Sequence, residues 1–352
     1  ADEQLPGGLG ERFVMCNGDV LTDLDLRRQI ELHEELGATA TLGLAPVEDP
    51  SAYGLVRVGD DLSVAGFLEK PEPEEIDTDL ISAGAYVLER SVLDLVEPGR
   101  SVSIEREVWP RLVGHGLYGI ADRDAYWLDI GTPERYLEAT ADILSGRART
   151  SVARELDGDG LSVAPGASVE GELAGPAMVG EGAAIAAGAT VGPGSVIGPG
   201  AQVGPGARVV RSVVLDRARV GEGALIEDAI LAPEAQVGAA SEVTGMAVLG
   251  PRALVGAENR LGDGVRLFPD AELGDRAVAF CAGPSDSRAG EMPESEPTAS
   301  LDAETVAAAD PSGQVFDVLA LPEQLRDALF KAESAELPET DSPGGLVVAG
   351  MG

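Results

Sequence analysis

The stretch TVGPGSVIGPGAQVGPGARV, residues 190–209, decides the fold of the second half of this chain. Val191, Ile197, Val203 and Val209 stand six apart, and Gly-Pro-Gly follows the first three. An α-helix aligns residues three or four apart, and prolines at this density would break it. A coil of short parallel strands accommodates a period of six: one aliphatic side chain points inward, and the next residues turn a corner.

Working outward, Val163 and Val169 begin the pattern, and Leu173, Val179, Ile185, Val191, Ile197, Val203, Val209 and Leu215 continue it. Val220, Ile226 and Leu231 form a disturbed stretch. The period resumes at Val237, Val243, Leu249, Val255, Leu261, Leu267 and Leu273. Three such hexapeptides make a coil of roughly 18 residues, so residues 163–273 are expected to form a continuous β-helix with these aliphatics inside. Its ends would expose unpaired backbone groups, which predicts homo-oligomers or a capping neighbour.

Upstream the pattern changes. Short apolar runs at 12–16, 38–46, 54–58, 63–69 and 81–88 read as strands, and 25–36, 103–113 and 133–144 as helices. Thr132 caps the last helix and Pro133 opens it. Alternation of this kind predicts an α/β domain with a mainly parallel sheet. Residues 282–300 are acidic and rich in Pro, Ser and Gly, as a linker is. Helices are expected within 305–334, and a strand at 345–349. The expected organisation is an α/β domain over 1–150, a β-helix over 151–280, a linker over 281–300 and a further segment over 301–352.

Composition narrows the function classes. A hydrophobic content of 44% supports real cores, and 46 glycines with 23 prolines suit many tight turns. The net charge of −36 argues against nucleic acid or an anionic membrane as partner. No run of 18 apolar residues or signal peptide occurs. Cys16 and Cys281 are far apart without CxxC companions, which disfavours disulfides and zinc and fits a reducing cytoplasm.

Two aspartates draw attention. Asp19 follows a strand in Asn17-Gly18-Asp19, and Asp129 lies where Trp127-Leu128-Asp129 meets Ile130-Gly131. Open α/β sheets bind ligands at such strand ends. Both also fit as turn residues. Together they could share a Mg²⁺, which takes one or two carboxylates and completes its octahedron with water and phosphate oxygens. Lysine occurs only at Lys70 and Lys331. The first falls in Glu69-Lys70-Pro71, where an ammonium suits a phosphate and a carboxylate suits sugar hydroxyls.

These segments, with Tyr53-Gly54, Ser82-Ala83-Gly84 and the WLDIGTPE stretch at 127–134, resemble the successive motifs of sugar-1-phosphate nucleotidyltransferases. NGDVLTDLDL (17–26), VEDPSAYG (47–54) and VSIEREVWP (102–110) bring the likeness nearest to mannose-1-phosphate guanylyltransferases. It covers residues 11–280, and longer members also carry hexapeptide repeats. The resemblance implies a Rossmann-like α/β domain followed by a left-handed parallel β-helix. It also implies that a nucleoside triphosphate and a sugar-1-phosphate yield a nucleotide sugar and pyrophosphate, with Mg²⁺ on Asp19 and Asp129. Glu69 would bind sugar hydroxyls and Lys70 the sugar phosphate. Tyr53, Gly54, Ser82, Gly84 and Trp127 would line the sugar, although the family usually has asparagine where Ser82 stands.

The family's glycine- and arginine-rich phosphate loop has no counterpart here, and the first residue is Ala1. The chain is therefore expected to begin inside its domain and, alone, not to turn over. DPSGQVFDVLALPEQLRDAL (310–329) and GGLVVAGMG (344–352) resemble the start of bifunctional phosphoglucose/phosphomannose isomerases of the sugar-isomerase fold, as in a fused and truncated parent. Two other readings compete. A non-catalytic regulatory relative need not retain Asp19, Lys70 and Asp129. A hexapeptide acyltransferase needs a histidine base at its coil, whereas His33 and His115 both precede the repeats.

Overall fold

The computed structural model describes residues 9–278 and 346–349, apart from 51–52, 70–72, 98 and 101. They form two compact units. One comprises the residues up to Gly131 together with Arg147–Thr150 and the strand Leu346–Ala349; the other takes Thr132–Gly146 and Ser151 onward.

The first unit is built on β1 (Arg12–Asn17), β2 (Val20–Thr22), α1 (Leu26–Leu36), β3 (Ala40–Pro46), β4 (Gly54–Val58), β5 (Val64–Glu69), β6 (Leu80–Glu89), α2 (Trp109–Leu112), β7 (Leu117–Ala121) and β8 (Trp127–Asp129). The main sheet runs from Leu346–Ala349 through β1, β6 and β3 to β7. Asp25 caps α1 by accepting from the Arg27 and Arg28 amides, and Gly37 ends it at φ 57°. Phe13, Leu42, Leu44, Tyr86, Leu88, Trp109 and Leu117 close the core.

The sheet is mixed rather than mainly parallel. β6 lies antiparallel to both β1 and β3. Parallel neighbours need a long crossover, usually a helix. Between β3 and β6 the chain instead forms the β4–β5 hairpin, so β6 returns against β3. Strand β7 pairs parallel with β3 and was not anticipated from the sequence. Leu346–Ala349 pairs parallel with β1, Val14 opposite Leu346; residues 301–345, which carry most of the isomerase resemblance, lie outside the described residues.

The second unit contains α3 (Pro133–Leu144) and a left-handed parallel β-helix of about six turns, with three faces of seven, seven and six strands. Val191, Ile197, Val203 and Val209 are buried as expected, and alanines such as Ala183, Ala201, Ala218, Ala235 and Ala253 fill the corners beside them. Val163 and Val169, on the first coil, are 47% and 36% exposed because no coil precedes theirs to cover them.

The disturbed stretch now has a cause. Val179 pairs with Ile197, but Ile197 pairs with Val214, one residue sooner. Val214 is the inward residue, not Leu215 as the hexad count had it. One corner is a residue short here and again before Leu231. The same face carries outward aliphatics at Val196, Val213, Ile230 and Val248, which would be stranded in water without a cover. Leu137 and Tyr136 of α3 supply it, and Leu215 packs with them. Removing the fully buried Ile226 side chain beyond Cβ (Ile226→Ala) is expected to lower stability by about 2–5 kcal/mol, as core truncations do. Leu225→Ala, one position along on the outward side, should cost far less in the same urea titration.

Candidate functional site

Short strands and their registers assemble the candidate site in the first unit. Asp19 sits between β1 and β2, and β2 pairs antiparallel with β8, Val20 opposite Asp129. The Ile130 amide donates to the Asp19 carbonyl at 2.8 Å. This two-stranded ribbon therefore brings Asp19 and Asp129, 110 positions apart in sequence, to within a residue of each other across one backbone hydrogen bond. Asp129 is exposed, with Oδ1 accepting from the Gly131 amide at 2.8 Å, while Asp19 is half-buried. Carboxylates on two adjoining segments are the donor type a Mg²⁺ uses when it takes its other ligands from water and phosphate. Among the described residues no cluster of three or more His, Cys, Asp or Glu side chains that could hold a metal occurs.

The remaining motifs converge through pairing. Gly54 lies opposite Glu69 in the β4–β5 hairpin, and Leu55 opposite Ile81 joins that hairpin to β6 beside Ser82. The Trp127 indole N–H donates to the Ala83 carbonyl at 3.1 Å, tying β8 to the Ser82-Ala83-Gly84 segment. Tyr53 meets Trp127 edge-on, with ring centroids 5.7 Å apart. Trp127 is half-buried rather than a core residue. The side chain of Glu69, and Lys70 entirely, lie outside the described residues.

Gly84 has a physical reason to be glycine. Its φ is +72°, and a Cβ built there would stand 2.9 Å from Asn17 side-chain atoms. Asn17 thus packs directly on the Gly84 backbone, a contact that joins the NGD segment to β6. Ser82 Oγ lies 3.0 Å from the Tyr86 hydroxyl, which donates to Glu105 Oε1 at 3.4 Å. Burial pushes the Tyr86 phenol above its ordinary range, so it stays a neutral donor. Where the resemblance leads one to expect asparagine, the chain has a serine backed by a tyrosine and a carboxylate.

Sequence reasoning did not single out Asn17, Tyr86, Glu105, Asp23 or Arg149 as site residues. The Asp23 carboxylate, only 4% exposed, accepts from the Arg149 guanidinium and amide and from the Tyr126 amide. Burial works against its charge, but these donors outweigh it and hold the carboxyl below its usual range. The aspartate falls inside a quoted motif, yet its partner is 126 residues away.

His33 is fully buried between Thr41 Oγ1 at 2.7 Å and Glu89 Oε1 at 3.1 Å. It belongs to the core of the first unit. A groove of about 850 Å³ runs along one β-helix face past Gln202, Arg219 and Gln236. The strand-end carboxylates are preferred as the candidate site because the ribbon brings two of them onto adjoining segments, with Tyr53, Trp127 and the Ser82-Ala83-Gly84 segment alongside.

Residues 5–146 match the family profile described as Nucleotidyl transferase, and residues 173–277 that described as GMPPB C-terminal domain. The chain is similar to "Mannose-1-phosphate guanylyltransferase" of Mycobacterium tuberculosis, 42% identical over 180 residues, which is 49% of this chain and 48% of that protein. It is 31% identical over 274 residues to "Probable mannose-1-phosphate guanylyltransferase 3" of Oryza sativa subsp. japonica, covering 78% of this chain and 72% of the relative. With "UTP--glucose-1-phosphate uridylyltransferase" of Synechocystis it shares 36% identity over 138 residues, 38% and 36% of the two chains. The match thus spans about half or less of the mycobacterial and cyanobacterial relatives.

Gly84→Ala is expected to force the backbone out of φ +72° or push Asn17 away, at about 1–2 kcal/mol for the conformation alone. The check is a drop in thermal stability together with altered amide signals at Asn17 and Asp19.

Proposed function

Since the chain belongs to the sugar-phosphate nucleotidyltransferase family that includes the mannose-1-phosphate guanylyltransferases, we propose that it serves nucleotidyl transfer from GTP to mannose-1-phosphate, releasing pyrophosphate. The observation that supports this reading most directly is the β2–β8 ribbon, which sets Asp19 and Asp129 together beside Gly84 and Trp127. Asp19 and Asp129 would hold Mg²⁺. When bound, the ion supplies positive charge that offsets the triphosphate and helps align its α-phosphorus with the attacking oxygen.

The sugar-1-phosphate would lie against Trp127 and Tyr53, its hydroxyls reached by Glu69, Ser82 and the backbone at Gly54 and Gly84. Lys70 would meet its phosphate. In-line displacement at phosphorus asks little covalent chemistry of the protein, so positioning and charge compensation carry the rate. Guanine and mannose are proposed on the relatives' names. Self-association through the β-helix and residence in the cytoplasm complete the proposal. Among the described residues no helix is long and apolar enough to cross a membrane.

The test is binding of mannose-1-phosphate and GTP, with and without Mg²⁺, followed at the Trp127 indole resonance. Mg²⁺-dependent shifts that Asp129→Asn weakens at least about tenfold are expected. Ligand shifts at Trp127 that ignore both Mg²⁺ and the substitution would overturn the metal roles. Absence of any sugar-phosphate effect there would overturn the proposed site.

A further inference from the structure

Strands β2 and β8 have three residues each and, among the described residues, pair only with one another. Two-stranded ribbons of this length are marginal on their own, so something else must fix their register. The register matters because it sets Asp129 beside Asp19. A slip of one residue would move Asp129 from its place opposite Val20 and break the bond from the Ile130 amide to the Asp19 carbonyl.

At the end of the ribbon away from Asp19 and Asp129 lies a dense set of bonds. Asp23 follows β2, and Tyr126 precedes β8. The Asp23 amide donates to the Tyr126 carbonyl at 3.2 Å, and the Tyr126 amide returns a bond to Asp23 Oδ1 at 2.7 Å. Thr22 Oγ1 also donates to the Tyr126 carbonyl, at 2.8 Å. Arg149 closes the set: its Nε and backbone amide donate to Asp23 Oδ2 at 2.8 and 3.0 Å, and Nη2 to Oδ1 at 3.1 Å. The carboxylate accepts four bonds in all and is 4% exposed, whereas the Arg149 side chain is 61% exposed. An exposed surface pair contributes little, but a buried, bidentate carboxylate bonded to two backbone amides is costly to disturb.

We propose that Asp23 and Arg149 are positioning residues that lock the β2–β8 register and thereby hold Asp19 and Asp129 in place for the metal. The inference rests on the metal roles given under Proposed function, and neither residue touches substrate in it. The pair acts through the ribbon: Arg149 fixes the carboxylate, the carboxylate fixes Tyr126, and Tyr126 starts β8 in the one register that sets Asp129 against Val20.

The experiment uses the full chain with Mn²⁺ alone as probe, reading paramagnetic broadening of the Trp127 indole signal and hydrogen exchange at the Ile130 amide, which bonds the Asp19 carbonyl. Trp109, the only other tryptophan, serves as internal reference. Asp23→Asn and Arg149→Gln should each weaken Mn²⁺ binding about tenfold, as loss of groups supporting metal ligands does. Each should speed Ile130 exchange, and the double variant should be no worse than the weaker single. Asp129→Asn should abolish broadening without speeding exchange. Should Asp23→Asn fail to fold, Arg149→Lys is used, since lysine keeps the charge but loses the two-pronged donor; it should still weaken binding and speed exchange. Faster exchange with unchanged Mn²⁺ affinity would reduce the pair to a structural tether and overturn the proposal. Unchanged exchange would overturn it as well, whatever happens to the metal. If the unsubstituted chain shows no broadening while exchange responds to Asp23→Asn, the metal roles fail and the register lock stands.

Discussion

Each coil of the β-helix must present its backbone N–H and C=O groups to the next coil in register, and much else in that unit follows from this requirement. A parallel ladder stacked along an axis leaves no room for large side chains at the corners. Alanines such as Ala201 and Ala235 sit there fully buried, and valine, isoleucine and leucine fill the faces. The corners also need residues with positive φ, which is why glycine is frequent: Gly182 and Gly200 lie at φ 65°. Later coils put Arg217, Glu234, Arg252 and Asp270 in the same place at φ 55–64°. Some other interaction must offset the conformational cost there.

The catalytic proposal depends on the same kind of constraint, at smaller scale. Asp19 and Asp129 come together only because three-residue strands pair in one register, and Gly54 meets Glu69 only because a hairpin closes in one register. In the β-helix, repetition protects the register, since every coil copies its neighbour. In the ribbon there is nothing to copy, so specific side chains must hold it: Asp23 with Arg149 at one end, and the Trp127 indole on Ala83 along its length.

This difference explains what the sequence made legible. The six-residue period at Val191, Ile197 and Val203 reported buried faces directly, because the pattern and the structure share one period. The two short corners were invisible as such: replacing Val214 by Leu215 as the inward residue keeps both aliphatic, and only the pairing of Ile197 with Val214 separates them. The mixed sheet was missed for a related reason, since strand and helix patterns carry no direction and β6 reads alike whichever way it runs. Motifs at Asp19, Gly84, Trp127 and Asp129 could be located because each is contiguous. The contacts that organise them, Asn17 on Gly84 and Asp23 with Arg149, join segments separated by 67 and 126 residues, and no local pattern announces such pairs.

The charge of the chain connects these observations. Sixty-one acidic residues against 25 lysines and arginines leave cations scarce, so where they go is informative. On the β-helix many go to corners. Arg217 pairs with Glu234, Arg252 with Asp270, and Arg276 with Glu258, each one coil from its partner. Arg211 reaches both Glu227 and Asp228 at the short corners. Coils stack about 4.8 Å apart, so identical acidic corners would place like charges within direct reach along the whole axis. Alternating signs at one corner convert that repulsion into attraction. Each pair is exposed and contributes little by itself, yet the column as a whole removes a repulsion that a polyanion could not otherwise avoid. Arg149 obeys the same economy in the first unit. One of few cations is placed on the Asp23 carboxylate, only 4% exposed, where burial makes an unpaired charge expensive.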